Sequence, residues 1–300
     1  MQLFGGIEAG GTKFVCMVGS DPQHVFAEVR FATTTPAETI DRAVKFFYPY
    51  VENNSLIAVG IASFGPLDLN PDSPTYGYIT TTPKPGWSWV DLYSEIQRRL
   101  NVPVALDTDV NAAAYGERYW NPENRSLDPF VYVTVGTGIG VGVIANGVPL
   151  HGLMHGEAGH FRIPHDWQRD PFPGICPYHG DCLEGLASGS AMAKRWGKPP
   201  EELPDSHEAW NLEIDYLASA IANLIYAYSP QKIIVGGGVS KHPGLHQALQ
   251  CKVKQLINGY IELPFLADRI DEYILPPALG NRSGGLGAIA IARQLELNFT

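Results

Sequence analysis

The chain has 300 residues, 45% of them hydrophobic, and a formal net charge of −10. That length allows one large or two medium domains with an ample core, and the acidic balance argues against a nucleic-acid surface. There is no apolar run of about 18 residues of the kind a membrane span needs, and the opening Met1-Gln2-Leu3-Phe4 has no basic segment before its first strand, so neither a span nor a signal peptide is expected.

Residues 3–9, 13–19 and 24–32 read as three consecutive strands joined by short turns. Thr35-Pro36-Ala37-Glu38 has the pattern of a capping box with proline at the first helical position, which predicts a helix to about Glu52. Residues 56–62 form a continuous apolar run, as in a buried parallel strand. A proline-rich loop occupies 63–90, a helix runs from Asp91 to Leu100, a strand covers 102–106, and a helix starts near Val110. The order then restarts. Residues 130–135 and 139–145 are strands, with a short continuation at 148–150. A Cys/His-containing loop fills 155–182 and a helix follows near Ser188–Trp196. Leu212, Ile214, Leu217, Ile221, Leu224, Ile225 and Tyr228 fall at helical spacing and predict a long packed helix. A buried strand at 231–235 runs into Gly236-Gly237-Gly238, and 286–295 form a last helix. Two similar halves of mixed α/β order imply sheets covered by helices. The expected domains are 1–115, joined by the C-terminal helix at about 287–300, and 116–286. In folds of this order, ligands bind at the carboxyl ends of the strands.

One pattern occurs twice. Gly5-Gly6-Ile7-Glu8-Ala9-Gly10-Gly11-Thr12-Lys13 and Val133-Thr134-Val135-Gly136-Thr137-Gly138-Ile139-Gly140 each place a glycine turn with one threonine between two apolar strands. Glycine lets backbone approach a ligand closely, and successive exposed N–H groups suit an anion. Either turn alone would read as a tight hairpin; the pair points to nucleotide phosphates. Of four cysteines, Cys16 and Cys251 read as ordinary small residues, and disulfides are not expected. Cys176-x-x-His179-x-x-Cys182 supplies three soft ligands on a short loop, with His160 as the fourth, a set that suits tetrahedral zinc. By spacing alone His155 and His165 compete for a place in it.

These motifs, in this order, resemble the sugar kinases of the ROK family and within it the bacterial fructokinase branch. The resemblance covers nearly the whole chain. It rests on Gly6–Lys13, on Asp107-Thr108-Asp109-Val110-Asn111-Ala112, on Gly136–Gly140 through Gly156-Glu157-Ala158-Gly159-His160, and on Cys176–Glu184. It implies two actin-like (ribonuclease H-like) domains around a cleft. Asp109 matches the family's catalytic aspartate, a general base for the sugar hydroxyl; as a mere structural residue it would cap a helix, whereas Asp107 is expected either to be that cap or to support the site from behind. Ser63, Gly65, Thr108, Glu157, His160 and Glu184 match sugar contacts, and Thr108 departs from the asparagine of many relatives. The Thr80–Trp87 segment resembles one typical of the fructokinase branch. Gly10, Gly11, Thr12, Lys13, Gly136, Thr137, Gly138, Ser188, Gly236, Gly237 and Gly238 match the nucleotide side. His160, Cys176, His179 and Cys182 match the structural zinc set, with His179 where many relatives have cysteine. Glu8 stands where most relatives carry aspartate.

The resemblance further implies ATP with Mg²⁺, a homodimer in the cytoplasm, and phosphorylation of fructose at the 6-hydroxyl. The alternatives are a kinase for mannose, glucose or N-acetylmannosamine, and a non-catalytic sugar sensor. The family's repressors place a helix-turn-helix before the first strand; no such module, and so no repressor, is expected here.

Overall fold

A computed structural model describes residues 2–297. In chain order the elements are β1 (Leu3–Ala9), β2 (Lys13–Asp21), β3 (His24–Ala32), α1 (Pro36–Glu52), β4 (Leu56–Ser63), β5 (Tyr78–Ile79), β6 (Val90–Asp91), α2 (Leu92–Leu100), β7 (Val104–Thr108), α3 (Asp109–Trp120), β8 (Phe130–Val135), β9 (Ile139–Ala145), β10 (Val148–Pro149), α4 (Leu183–Ala187), α5 (Gly189–Trp196), α6 (Ala209–Tyr228), β11 (Lys232–Gly236), α7 (Leu245–Ile257), α8 (Pro264–Ala267), α9 (Ile270–Tyr273), β12 (Ile274–Leu275) and α10 (Ser283–Leu297). They form two compact units. The first holds the chain to Ser126, the segment Val148–Gly156 and the chain from Ala278; the second holds Leu127–Gly147 and Glu157–Pro277. The expected boundary at 115/116 falls inside α3, a single helix that packs along α10 in the first unit. The division of the chain falls after this helix has ended, between Ser126 and Leu127. The expected last helix begins four residues earlier than 287, at Ser283, and its predicted end at 298–300 lies outside the described residues.

The first unit's sheet has the order β3-β2-β1-β4-β7. The β1–β2 and β2–β3 pairs are antiparallel, β1–β4 and β4–β7 parallel. Both faces are covered. Ile7, Phe14, Cys16 and Val18 pack with Ile40, Val44 and Phe47 of α1 and Leu92 and Ile96 of α2, while Phe4, Val15 and Met17 pack with Leu286 and Ile289 of α10. Alternate residues of one strand thus serve opposite cores, which is why these strands are apolar throughout rather than alternating. α10 lies so close that a Cβ on Gly60 would sit 1.9 Å from the Ala288 carbonyl, and one on Gly287 2.0 Å from that of Ala112. Its start is fixed by buried Glu117 of α3, whose carboxylate accepts from Ala278 N and Leu279 N at 3.0 Å and from Ser283 Oγ at 2.7 Å.

α1 starts as expected. Pro36 is its first residue, and the Thr35 hydroxyl accepts from Glu38 N at 3.4 Å. The loop 63–90, expected to be irregular, contains the short β5–β6 pair. It is anchored by Trp87, which is fully buried, lies against Phe14 and Phe64, and donates to the Thr34 carbonyl at 2.9 Å.

In the second unit β8 and β9 are antiparallel, β11 runs parallel to β8, and β12 parallel to β11. Antiparallel hairpin followed by parallel strands is the order of the first unit repeated. The core joins Val131, Val133 and Val141 to Leu217, Ile221 and Leu224 of α6 and to Leu249 and Val253 of α7. The helix expected near Ser188–Trp196 is α5, and an additional short helix, α4, precedes it. Ser188 separates them with an extended backbone, closing α4 and capping α5.

Candidate active site and metal centre

Asp109 is the first residue of α3, at the carboxyl end of β7. Its side chain is partly exposed, and one oxygen accepts from Val110 N at 2.9 Å. A helix N-terminus favours a negative charge, so the fold holds a carboxylate at a strand end, as a base requires. The cap is not Asp107. Thr108 caps α3, its hydroxyl accepting from Asn111 N at 3.2 Å. Buried and committed in this way, Thr108 is structural at this position. Asp107 instead accepts from Thr108 N and from Asn111 Nδ2, both at 2.7 Å, and pairs with His151.

Ser63 ends β4 fully buried, its hydroxyl donating to the Phe64 carbonyl at 2.9 Å, so the structure does not offer it to a ligand. Gly65 follows on the surface side of that strand end, and a Cβ there would meet Leu67 N at 3.1 Å and the His155 ring at 3.5 Å. His155 is buried and its Nε2 accepts from Leu67 N at 2.9 Å.

The turn at Gly10–Lys13 is closed by Gly10 N donating to the Lys13 carbonyl at 2.9 Å, and braced by the Thr33 hydroxyl on the Gly10 carbonyl at 2.6 Å. A Cβ on Gly11 would meet nothing, and Gly11, Thr12 and Lys13 all face solvent at least in part. Burial raises the pKa of Glu8, against the charges of Lys13 and Arg30 and a hydrogen bond from Gly285 N in the first turn of α10.

In the second unit the matching turn is closed by Gly136 N on the Gly138 carbonyl at 2.9 Å, with the Thr137 side chain exposed. Two outside groups grip it: Gly189 N donates to the Gly136 carbonyl at 2.7 Å, and Glu184 Oε2 accepts from Ile139 N at 3.0 Å. Ser188 is fully buried and its hydroxyl accepts from Ala191 N at 3.1 Å, so it caps α5 instead of facing a ligand. After β11, Gly237 takes φ +96°, and a Cβ there would strike the Val135 carbonyl at 2.2 Å; only glycine fits. Gly238 opens onto free space.

His160, Cys176, His179 and Cys182 place one ligand atom each within 4.8 Å of one another. Cys176 Sγ is 3.5 Å from His179 Nδ1 and 3.8 Å from His160 Nδ1, which lies 3.4 Å from Cys182 Sγ. Two thiols and two imidazoles in that space fit a tetrahedral zinc ion. The spacing ambiguity is removed by geometry. His155 belongs to the first unit, and His165 has both nitrogens engaged, Nδ1 with Asp181 Oδ2 at 3.2 Å and Nε2 with the Asp170 carbonyl at 2.9 Å. The knuckle is tight: Gly174 takes φ +80°, and a Cβ on it would sit 2.1 Å from the Gly180 carbonyl.

Glu157 lies three residues before His160. Crowding by protein and the nearby charge of Glu184 push its pKa up to about 7, so two acids share this corner of the second unit. His151, in contact with Asp107, and the Glu184–Ile139 contact were not legible beforehand. Each joins residues over 40 apart in sequence, and no local pattern signals them. Two tryptophans, Trp87 and Trp89, stand in the proline-rich stretch, and only the structure shows that Trp87 is the buried anchor.

The described helices include none long and apolar enough to cross a membrane. The family model for "ROK family" matches residues 4–295. The chain is 42% identical over 297 residues to a fructokinase of Pediococcus pentosaceus, covering 99% of this chain and 100% of that one. It is 41% identical over 293 residues to a fructokinase of Lactococcus lactis subsp. cremoris, covering 97% of each. A ROK family glucokinase from Streptomyces griseus, solved in complex with glucose and AMPPNP, superposes with a TM-score of 0.73 at 23% identity, covering 97% of this chain and 99% of that one. The matched family and the near full-length relatives agree with the two actin-like units, and the chain belongs to the ROK family.

Proposed function

We propose that this protein transfers the γ-phosphoryl group of ATP to the 6-hydroxyl of fructose, giving fructose 6-phosphate and ADP. The observation that carries the substrate is the near full-length identity with two fructokinases. ATP as donor is supported by the AMPPNP bound to the glucokinase of the same fold. The nucleotide enters with Mg²⁺, which offsets charge on the phosphates. Gly10, Gly11, Thr12 and Lys13 serve the phosphates with N–H groups, a hydroxyl and an ammonium; Gly136, Thr137 and Gly138 serve them likewise; Gly236–Gly238 take the adenosine. Asp109 accepts the proton of the 6-hydroxyl as the phosphoryl group arrives, since its partly exposed carboxylate ends a strand where an acceptor sugar binds in such folds.

Glu157 and His160 orient the sugar through its other hydroxyls. Unpaired polar groups left by a wrong sugar are what make such a site selective. Zinc, when bound by His160, Cys176, His179 and Cys182, supplies a cross-link that orders the 155–182 loop. The protein works in the cytoplasm as a homodimer, and does not bind nucleic acid, in keeping with its net charge of −10.

The test is ADP release with ATP–Mg²⁺ and a panel of fructose, glucose, mannose and N-acetylmannosamine. Highest kcat/KM with fructose supports the proposal. A higher value with another hexose keeps the mechanism and replaces the substrate. No release from folded, zinc-loaded protein overturns the enzymatic reading in favour of a sugar sensor.

A further inference from the structure

We propose that Glu184 is a positioning residue for the phosphate turn, and that through it the metal loop controls nucleotide affinity as well as sugar affinity. The inference rests on the reading of Gly136–Gly138 as a phosphate grip.

The connection is short and lies wholly within the second unit. Cys182, a member of the Cys/His group, is also the N-cap residue of α4. Glu184 is the second residue of that helix, and its Oε2 accepts from Ile139 N at 3.0 Å. Ile139 is the first residue after the glycine turn, so this bond fixes the turn's exit into β9. A Cβ on Gly138 would lie 2.5 Å from the same Oε2; the carboxylate rests against the turn itself. One turn of helix later, the end of α4 passes through Ser188 to Gly189, whose N–H holds the Gly136 carbonyl at 2.7 Å. One end of the turn is therefore held by α4, the five-residue helix capped by Cys182, and the other by the first residue of α5, two residues beyond the end of α4. A further contact keeps that helix in place: Arg195 Nη1 donates to the Leu186 carbonyl at 2.9 Å, and Arg195 pairs with Asp170 at 3.0 Å.

The physical consequence follows from pre-organisation. A phosphate-binding turn is useful when its N–H groups are already aimed, because ordering them on binding subtracts from affinity. Ile139 N is turned toward Glu184, so a carboxylate here orients the backbone and does not compete for the phosphate's own donors. Loss of the metal frees Cys182, which loosens the start of α4 and with it the grip on the turn.

The experiment is titration calorimetry of ADP–Mg²⁺ and, separately, of fructose, on zinc-loaded wild type, Glu184→Gln, Glu184→Ala and Gly138→Ala, with metal-stripped samples of wild type and Glu184→Ala. A charge-assisted bond is removed by Glu184→Ala, which is expected to weaken ADP binding by about tenfold. Glu184→Gln keeps an acceptor oxygen and stays within about threefold of wild type on the same scale. Gly138→Ala displaces the carboxylate without touching the metal loop, so it weakens ADP binding while fructose binding is unchanged; it also serves if Glu184→Ala does not fold. Stripping zinc weakens ADP binding in wild type and weakens it less in Glu184→Ala, where the Gly189 contact alone is left to be loosened, the non-additivity expected of a shared path. Wild-type ADP affinity in both Glu184→Ala and Gly138→Ala overturns the inference and leaves the kinase assignment intact. Additive losses from stripping and Glu184→Ala overturn the path from the metal. A wild type that binds fructose but no ADP overturns the phosphate-grip reading, and the inference with it.

Discussion

The imidazole of His151 closes onto Asp107, with Nε2 3.1 Å from Oδ2 and 3.2 Å from Oδ1. Asp107 is buried and also holds Thr108 N and Asn111 Nδ2, so one carboxylate ties the β7 end, the α3 start and the Val148–Gly156 segment of the first unit together. Asp109 sits two residues beyond.

His151 makes this tie depend on pH. The hydrogen bond to Asp107 raises its pKa above the ordinary 6.5, with burial opposing. A histidine with a raised folded pKa adds stability that is fully present below about 6.5 and is lost as pH rises through the folded value. His151→Gln is therefore expected to lower the unfolding midpoint at pH 5.5 and to converge on wild type by pH 9. A midpoint difference that is constant across that range would remove His151 from the titration.

Asp109→Asn keeps the size of the side chain and an acceptor for Val110 N, but removes the base. Turnover is expected to fall by roughly 10²-fold or more, with fructose affinity by calorimetry within about twofold. Near-normal kcat would exclude Asp109 as the proton acceptor.

The metal set predicts a contrast between two histidines of one loop. His179→Ala is expected to lower bound zinc, measured by atomic emission on dialysed protein, and to lower the unfolding midpoint. His165→Ala should keep a full equivalent of zinc, because both its nitrogens face Asp181 and Asp170. Zinc loss in His165→Ala but not in His179→Ala would reverse the ligand assignment.

Glu213 of α6 is fully buried, neither carboxylate oxygen has a hydrogen-bond partner among the described residues, and burial raises its pKa well above the normal value, with Arg195 opposing. An acid with a raised folded pKa costs stability as pH climbs above its unfolded value near 4.5. Glu213→Gln removes that cost and is expected to raise the unfolding midpoint at pH 8 more than at pH 5. A midpoint gain that does not grow with pH would show that the folded pKa of Glu213 is not raised and that its charge is solvated or paired in the native protein.

Trp87 is the anchor of the proline-rich loop, buried against Phe14 and Phe64. Trp87→Ala should cost roughly 3–5 kcal/mol in denaturant unfolding, whereas truncating Trp89, which is 59% exposed, should cost under about 0.5 kcal/mol. Similar losses for the two would refute the anchor.

Most of the element order was legible from local pattern. Strand runs, the capping box at Thr35–Glu38 and the helical spacing of Leu212–Tyr228 are properties of a dozen residues at a time, and backbone hydrogen bonding and side-chain period act at that range. The paired glycine turns and the Cys/His loop were legible for the same reason: their chemistry is carried by neighbours in the chain. What only the tertiary structure decided are matters of which distant group takes up a polar atom. Thr108 and Ser188 have the hydroxyls a ligand site would use, yet each caps the helix that begins after it. His155 and His165 have the spacing of zinc ligands, yet a backbone N–H and two aspartates claim them first. A buried polar atom must find a partner, and when several of one residue type lie near one another in sequence, only the packing of the folded chain says which of them is already satisfied and which is left to bind.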